Sequence, residues 1–255
     1  MSEQSDVGIS LSERVCLVTG ASRGIGRAVA QRLVADGHRV ALVARTAPDP
    51  IETGALSIAA DVTDPGDVEQ MFATVENHWG PVEVLVSNAG SGTAAALVDT
   101  TDEQWRDAID LNLTAPFRCV RRALPAMLDS GWGRIVVIAS VVAKRGESQV
   151  SAYTASKHGV LGLVRAASAE VAGRGVTVNA VCPGYVDTPM TAQTVAAISD
   201  RTGRSTVDAQ QLLARRQPIG RLIDPAEVAE AVHFCVVNGA VTGQGINVDG
   251  GAVQS

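Results

Sequence analysis

Val15-Cys16-Leu17-Val18-Thr19-Gly20-Ala21-Ser22-Arg23-Gly24-Ile25-Gly26 decides how the rest of this chain is read. The apolar run Val15 to Val18 has the length and branching of a buried strand, and the glycines at 20, 24 and 26 mark a tight turn. Past the turn, Ile25, Val29 and Leu33 recur at helical spacing. Glycines let a backbone approach a phosphate closely, and the first turn of a helix offers unpaired N–H groups at the positive end of its dipole. Glycine clusters alone occur in many turns, so the order strand, turn, helix carries the reading as a dinucleotide site.

The alternation continues downstream. Short, β-branched, mostly apolar runs fall at 15–18, 40–43, 56–59, 82–87, 135–139, 176–181 and 246–248. Helices are expected to start near Gly24, Pro65, Thr101, Ser151 and Pro225, with Asp64 and the Thr100-Thr101 pair as caps. Strands apolar on both faces suit a parallel sheet covered by helices on each side. The fold class is therefore α/β: a Rossmann-type, doubly wound sheet of about seven strands. Ligands of such sheets lie beyond the carboxyl ends of the strands, where Gly20, Asn88 and Ser140 all fall. Residues 1–10 read as a disordered tail, and 11–255 as one dinucleotide-binding catalytic domain without a linker. Between Ala44 and Leu56 the connection is short and carries Pro48 and Pro50, so a loop or single turn is expected in place of a crossover helix.

The second constellation is polar. Tyr153 and Lys157 lie four residues apart, hence on one helix face, with Ser140 and Asn112 upstream. An ammonium about 4 Å from a phenol attracts the phenolate by about 4 kcal/mol at an effective dielectric near 20. That predicts a phenol pKa lowered by about three units. With Ser140 holding a carbonyl oxygen, the set suits proton transfer to a ketone or from an alcohol, the complement of hydride transfer. Taken singly, Tyr153 reads equally as a half-buried helix tyrosine, Ser140 as a cap and Asn112 as a tolerated helix polar residue in a helix from about 101 to 128.

Together these motifs resemble the short-chain dehydrogenase/reductase family, from Val15 to Gly250-Gly251. The resemblance implies cofactor contacts at Gly20, Ser22, Arg23, Gly24, Ile25 and Gly26, at Asp61 and Val62 beside the adenine, and at Asn88-Ala89-Gly90. It adds Pro183, Gly184, Val186 and Thr188 near the nicotinamide, with Tyr153 and Lys157 touching the ribose. It implies Asn112, Ser140, Tyr153 and Lys157 as the catalytic set, Asn112 holding a water that links Lys157 to solvent. Pairing into dimers or tetramers through the helices that contain Asn112 and Tyr153 is expected on the same ground.

At the end of the second strand, where NAD enzymes usually place an acid, stand Ala44 and Arg45, with Arg23 nearby. Two guanidiniums and no acid favour a 2′-phosphate, hence NADP(H) over NAD(H). Solvated surface charge is the ordinary fate of an arginine, and Asp49 and Glu52 work against the reading.

Composition sets outer bounds. The chain has 255 residues, 46% hydrophobic and 19% charged, and a formal charge of −6, which argues against general nucleic-acid binding. No apolar run approaches bilayer length, and the polar, acidic start does not read as a secretory signal, so a cytoplasmic enzyme without a membrane partner is expected. Cys16, Cys119, Cys182 and Cys235 have no metal-ligand spacing and read as free thiols; no metal site is expected. His158 adjoins Lys157 but points to another helix face, so it reads as surface or packing.

The segment 189–220 reads as a lid over the substrate, polar and partly helical. The resemblance extends to 3-oxoacyl reductases, hydroxyacyl-CoA dehydrogenases and aromatic polyketide ketoreductases, although Ser91-Gly92-Thr93-Ala94 replaces the Pro/Gly run of the last group. Reduction of a 3-oxoacyl thioester leads; a secondary-alcohol or cyclic-ketone reductase is the alternative, and a non-catalytic dinucleotide sensor is more remote. Where the carrier-protein reductases dock an acidic carrier on arginines, this chain aligns Gly131 and Ala169.

Overall fold

The computed structural model describes residues 12–51 and 55–254. Strands β1 (Val15–Thr19), β2 (Arg39–Ala44), β3 (Ala55–Ala59), β4 (Val84–Ser87), β5 (Gly133–Ile138), β6 (Val176–Pro183) and β7 (Gly245–Val248) form one sheet. Its order is β3-β2-β1-β4-β5-β6-β7, and every pairing is parallel. The helices are α1 (Gly24–Ala35), α2 (Pro65–Trp79), α3 (Asp102–Ile109), α4 (Ala115–Ser130), α5 (Ser151–Val171), α6 (Pro189–Thr202), α7 (Thr206–Ala214) and α8 (Pro225–Val237).

Alternation along the strands splits the core in two. Val15 and Leu17 of β1, Ala41 and Val43 of β2, and Ile135 and Val137 of β5 share one core with residues of α2, α4 and α5. Cys16, Val18, Val40, Leu42, Val136 and Ile138 share the other with α1 and α8. Successive side chains of a strand point to opposite faces, so a strand buried on both must be apolar throughout. Each large side chain sealed there, such as Leu17 or Leu85, contributes about 1.5–3 kcal/mol.

Caps fix where the helices start. Asp64 accepts from the N–H groups of Gly66 and Asp67 at 2.7 and 2.9 Å, and Thr101 forms a capping box with Gln104. One expected helix differs. The run from 101 to 128 is interrupted at Asp110–Thr114 by a wide π turn that holds Asn112. Pro116 has no N–H to give to the Asn112 carbonyl, so a regular α turn cannot close there. The connection after β2 is a loop as far as Ile51, as expected; Glu52 and the tail 1–10 lie outside the described residues.

Candidate active site

The carboxyl ends of β1, β4, β5 and β6 converge on one edge of the sheet, and the predicted residues follow them. Thr19 ends β1, and its hydroxyl accepts the N–H groups of both Asn88 and Ala89 at 3.0 Å. Asn88 Nδ2 donates back to the carbonyls of Thr19 and Gly20 at 2.9 and 3.1 Å. The approach is so close that a Cβ on Gly26 would stand 2.4 Å from both the Gly20 carbonyl oxygen and Asn88 Nδ2. Gly20 and Gly24 hold φ of +66° and +56°, in the left-handed region. A Cβ on Gly24 would meet Thr188 Cγ2 at 3.1 Å, which brings the loop after β6 against the glycine turn.

This edge fits a dinucleotide. Helix α1 has no side-chain cap at Arg23 and no acid in its first turn, a condition shared by α4 and α5, while α2, α3, α6, α7 and α8 are each capped by an Asp, Ser or Thr. The first N–H groups of α1 are thus left for an anion. Ser22, Arg23 and Arg45 are exposed, and among the described residues neither arginine has a salt-bridge partner. Asp61 accepts from Thr63 N and Oγ1 at 2.9 and 2.7 Å, which with Arg45 nearby holds its carboxyl below the usual range. Val62 behind it is buried. Pro183 ends β6 opposite Val248, Gly184 N donates to the Val248 carbonyl at 3.0 Å, and Val186 is buried.

The polar set assembles as the spacing predicts, with different electrostatics. Lys157 is 3% exposed, and its Nζ donates to the Ile138 carbonyl at 2.8 Å while lying 5.6 Å from the Tyr153 ring centre. Burial pushes the lysine down to about 8. Burial also raises the Tyr153 phenol above its ordinary value, opposed by a hydrogen bond with Ser140. The expected lowering by Lys157 is therefore reversed: desolvation of the phenolate outweighs the hydrogen bond from Ser140. Ser140 also caps the turn Val141–Ala143, accepting from Val142 N at 3.3 Å.

Asn112 is sealed. Its Nδ2 donates to the carbonyls of Ser91 and Ala108 at 2.9 and 3.0 Å, and its Oδ1 accepts from Ser91 N at 3.1 Å. A Cβ on Gly90 would lie 2.8 Å from Asn112 Oδ1 and 3.5 Å from Lys157 Nζ, so Gly90 is the spacer between them. His158 is exposed and turns back to the Thr154 carbonyl at 3.0 Å, away from the site. All four cysteines are buried and free. Among the described residues no helix is long and apolar enough to cross a membrane, and no cluster of His, Cys, Asp and Glu is placed to hold a metal.

Residues 14–199 match the short chain dehydrogenase family model. The chain belongs to that family. It is 42% identical over 240 residues to the 3-oxoacyl-[acyl-carrier-protein] reductase MabA of Mycobacterium tuberculosis, covering 93% of this chain and 92% of that one. A solved actinorhodin polyketide ketoreductase with NADPH superposes with a TM-score of 0.88 at 41% identity, over 94% of this chain and 97% of that one. The ligand-free aldohexose dehydrogenase of Thermoplasma acidophilum gives 0.87 at 33% identity, over 94% of each chain.

Spacing alone missed a second polar cluster at the same edge. Tyr185, beside Gly184, donates to Glu147 Oε1 at 2.6 Å, and Arg216 Nη1 reaches the same oxygen at 2.5 Å. Gln217, 1% exposed, accepts from Tyr185 N at 2.7 Å and donates to the Tyr185 and Arg221 carbonyls. The one available signal was scarcity: the chain has 2 tyrosines, and both stand at this edge.

Proposed function

We propose that this dehydrogenase reduces a ketone to a secondary alcohol with NADPH, and that its substrate is a 3-oxoacyl thioester. The observation that carries the reading is the Ser140–Tyr153–Lys157 set, with Ser140 and Lys157 buried and Tyr153 half-buried, beside an uncapped, glycine-lined helix start. The cofactor supplies the hydride. Ser140 holds the carbonyl oxygen, and Tyr153 gives it a proton. A phenol held above its ordinary pKa stays protonated at neutral pH, the form that reduction consumes. Lys157, pushed down to about 8, is the stronger acid of the two and can return a proton to the phenolate. Asn112 braces the Ser91 backbone against the helix that faces this site.

Arg23 and Arg45 are the residues assigned to the 2′-phosphate, Asp61 and Val62 to the adenine, Asn88, Ala89 and Gly90 to the adjoining ribose. Pro183, Gly184, Val186 and Thr188 receive the nicotinamide end. The acyl thioester is supported by the likeness to MabA, the polyketide ketoreductase supports a ring-bearing substrate as second reading. We place the enzyme in the cytoplasm as a homo-oligomer, a dimer or tetramer, with 189–220 as its substrate lid.

The test is NADPH oxidation against a panel of 3-oxoacyl thioesters and cyclic ketones, with NADH alongside. Tyr153→Phe should lower turnover by about a hundredfold to ten-thousandfold, the usual worth of a positioned proton donor, while the dissociation constant for NADPH hardly moves. Near-normal turnover in Tyr153→Phe removes the assigned donor, and equal use of NADH removes the cofactor assignment.

A further inference from the structure

Nothing in the reaction above uses Glu147. It lies between Ser140 and Tyr153 on the loop that leaves β5, and only 15% of its side chain is exposed. Its Oε1 accepts from the Tyr185 hydroxyl at 2.6 Å and from Arg216 Nη1 at 2.5 Å, and that same nitrogen lies 3.0 Å from the hydroxyl. Three segments distant in sequence are thereby tied at one carboxylate: the catalytic loop, the loop after β6 and the end of α7. Burial and the Glu147 charge raise the Tyr185 phenol to about 12, so it remains a donor. Shielded, charge-assisted bonds of this kind are stronger than exposed pairs.

A second tie runs alongside. Arg201 of α6 donates to the side chain of Gln149, whose carbonyl accepts from Ala95 N at 2.8 Å. Gln149 holds φ of 67°, a left-handed conformation that strains a non-glycine residue. Such strain persists where surrounding contacts impose it. Here they join the loop after β4, the catalytic loop and α6. Helices α6 and α7 pack on each other through a small core, Val195, Ile198, Ala209 and Leu213, on which Tyr185 and Leu222 also rest, so Tyr185 links that core to the tie at Glu147.

We propose that Glu147 is a positioning residue: through Tyr185 and Arg216 it fastens α7 to the catalytic loop and so sets how broad a ketone the site admits. This rests on the ketone-reductase reading. With the ties made, the entrance between the catalytic loop and α7 suits a slender linear 3-oxoacyl chain. A fused-ring ketone has a wider cross-section and requires α6 and α7 to swing away, breaking the bonds at Glu147.

The experiment compares kcat/KM for a linear 3-oxoacyl thioester and for a fused bicyclic ketone, in the intact enzyme and in Glu147→Gln. The ratio of bicyclic to linear should rise about tenfold, the worth of a charged hydrogen bond. Limited proteolysis within α6 and α7 should accelerate, and NADPH affinity should shift by less than about twofold, since the cofactor contacts remain. Arg216→Lys, at a half-exposed position, should move both readouts the same way. Exchanging the charges in Glu147→Arg with Arg216→Glu should bring the ratio back toward that of the intact enzyme. Equal changes for the two ketones, or unchanged proteolysis in Glu147→Gln, overturn the proposal. If the intact enzyme reduces neither ketone, the reductase reading fails, and the proteolysis comparison still decides whether Glu147 holds the helices.

Discussion

The two ends of the ligand edge are held together by different means. At β1 and β4 the fit is made against backbone at close quarters: the Thr19 hydroxyl accepts from the N–H groups at 88 and 89, Asn88 Nδ2 donates to the Thr19 and Gly20 carbonyls, and the missing Cβ of Gly26 lets them meet. At β6 and α7 the chain is held by side chains, Glu147, Tyr185, Arg216 and Gln217, that reach across 30 to 70 residues of sequence. Backbone fit demands particular residues at fixed spacing and leaves a motif. Side-chain ties demand only that complementary groups meet in space, so they leave none. The first end can be rigid for any relative that binds a dinucleotide, and the second is free to vary with substrate.

The sharpest way to break this contrast is to add one carbon at each end. Gly26→Ala forces a Cβ against the Gly20 carbonyl oxygen at 2.4 Å, and neither backbone can yield without moving α1. Overpacking of that kind costs about 1–3 kcal/mol of stability. Displacing the helix start should weaken NADPH binding by about a hundredfold, the scale on which ångström misplacement acts. Gly146→Ala, in the catalytic loop, meets nothing within 4 Å and should leave stability and binding close to those of the intact protein. Calorimetry and cofactor titration on both variants decide it: similar losses at 26 and 146 would mean that the glycine turn is not specially constrained.

Legibility in the sequence follows the same division. The seven strands, their parallel direction and the helix starts at Gly24, Pro65, Ser151 and Pro225 were readable because alternation, glycines and caps are local signals. The π turn at Asp110–Thr114 was not, since Pro116 reads first as a tolerable helix residue, and its missing N–H tells against a regular turn without saying that the helix would widen and continue. The four-residue spacing placed Tyr153 and Lys157 correctly but gave the phenol shift the wrong direction. Spacing fixes a face; it does not fix the distance to an ammonium or the degree of desolvation, and desolvation prevails here.

Lys157, on α5 between the two ends, offers the next test, because its charge carries its cost in burial. Its folded pKa of about 8 lies below the ordinary 10.5, so between those values the unfolded chain holds a proton that the folded protein has released. Stability therefore rises with pH through that window, and below about pH 8 the buried charge opposes folding by roughly 3 kcal/mol. Cofactor-free Lys157→Met, which lacks the charge, should be the more stable protein at pH 7, and its advantage should shrink as pH approaches 10.5. Urea midpoints for both proteins at pH 7, 9 and 10.5 measure this. A difference that does not change with pH would mean that the lysine is solvated in the folded state.

The smallest effect concerns two surface positions that differ as the two ends do. Gly131 closes α4 with φ of +68°, its N–H donating to the Leu128 carbonyl at 3.3 Å, so the backbone dictates glycine there. Ala169 is an exposed position on α5 with ordinary helical geometry. Both stand where relatives that dock an acidic carrier are expected to present arginines, and neither can pair with a carboxylate. The formal charge of −6 adds mild repulsion toward an acidic partner. One acyl chain should therefore be reduced with a higher kcat/KM as its CoA thioester than on acyl carrier protein. Ala169→Arg should raise the carrier value by about two- to fivefold at low salt without loss of stability, as one rim ion pair is worth at most about 1 kcal/mol. Gly131→Arg should give a similar gain in rate but lose about 1 kcal/mol of stability to the left-handed backbone. A clear preference of the unmodified enzyme for the carrier-bound chain would show that other arginines, such as Arg121 on the exposed face of α4, already serve for docking.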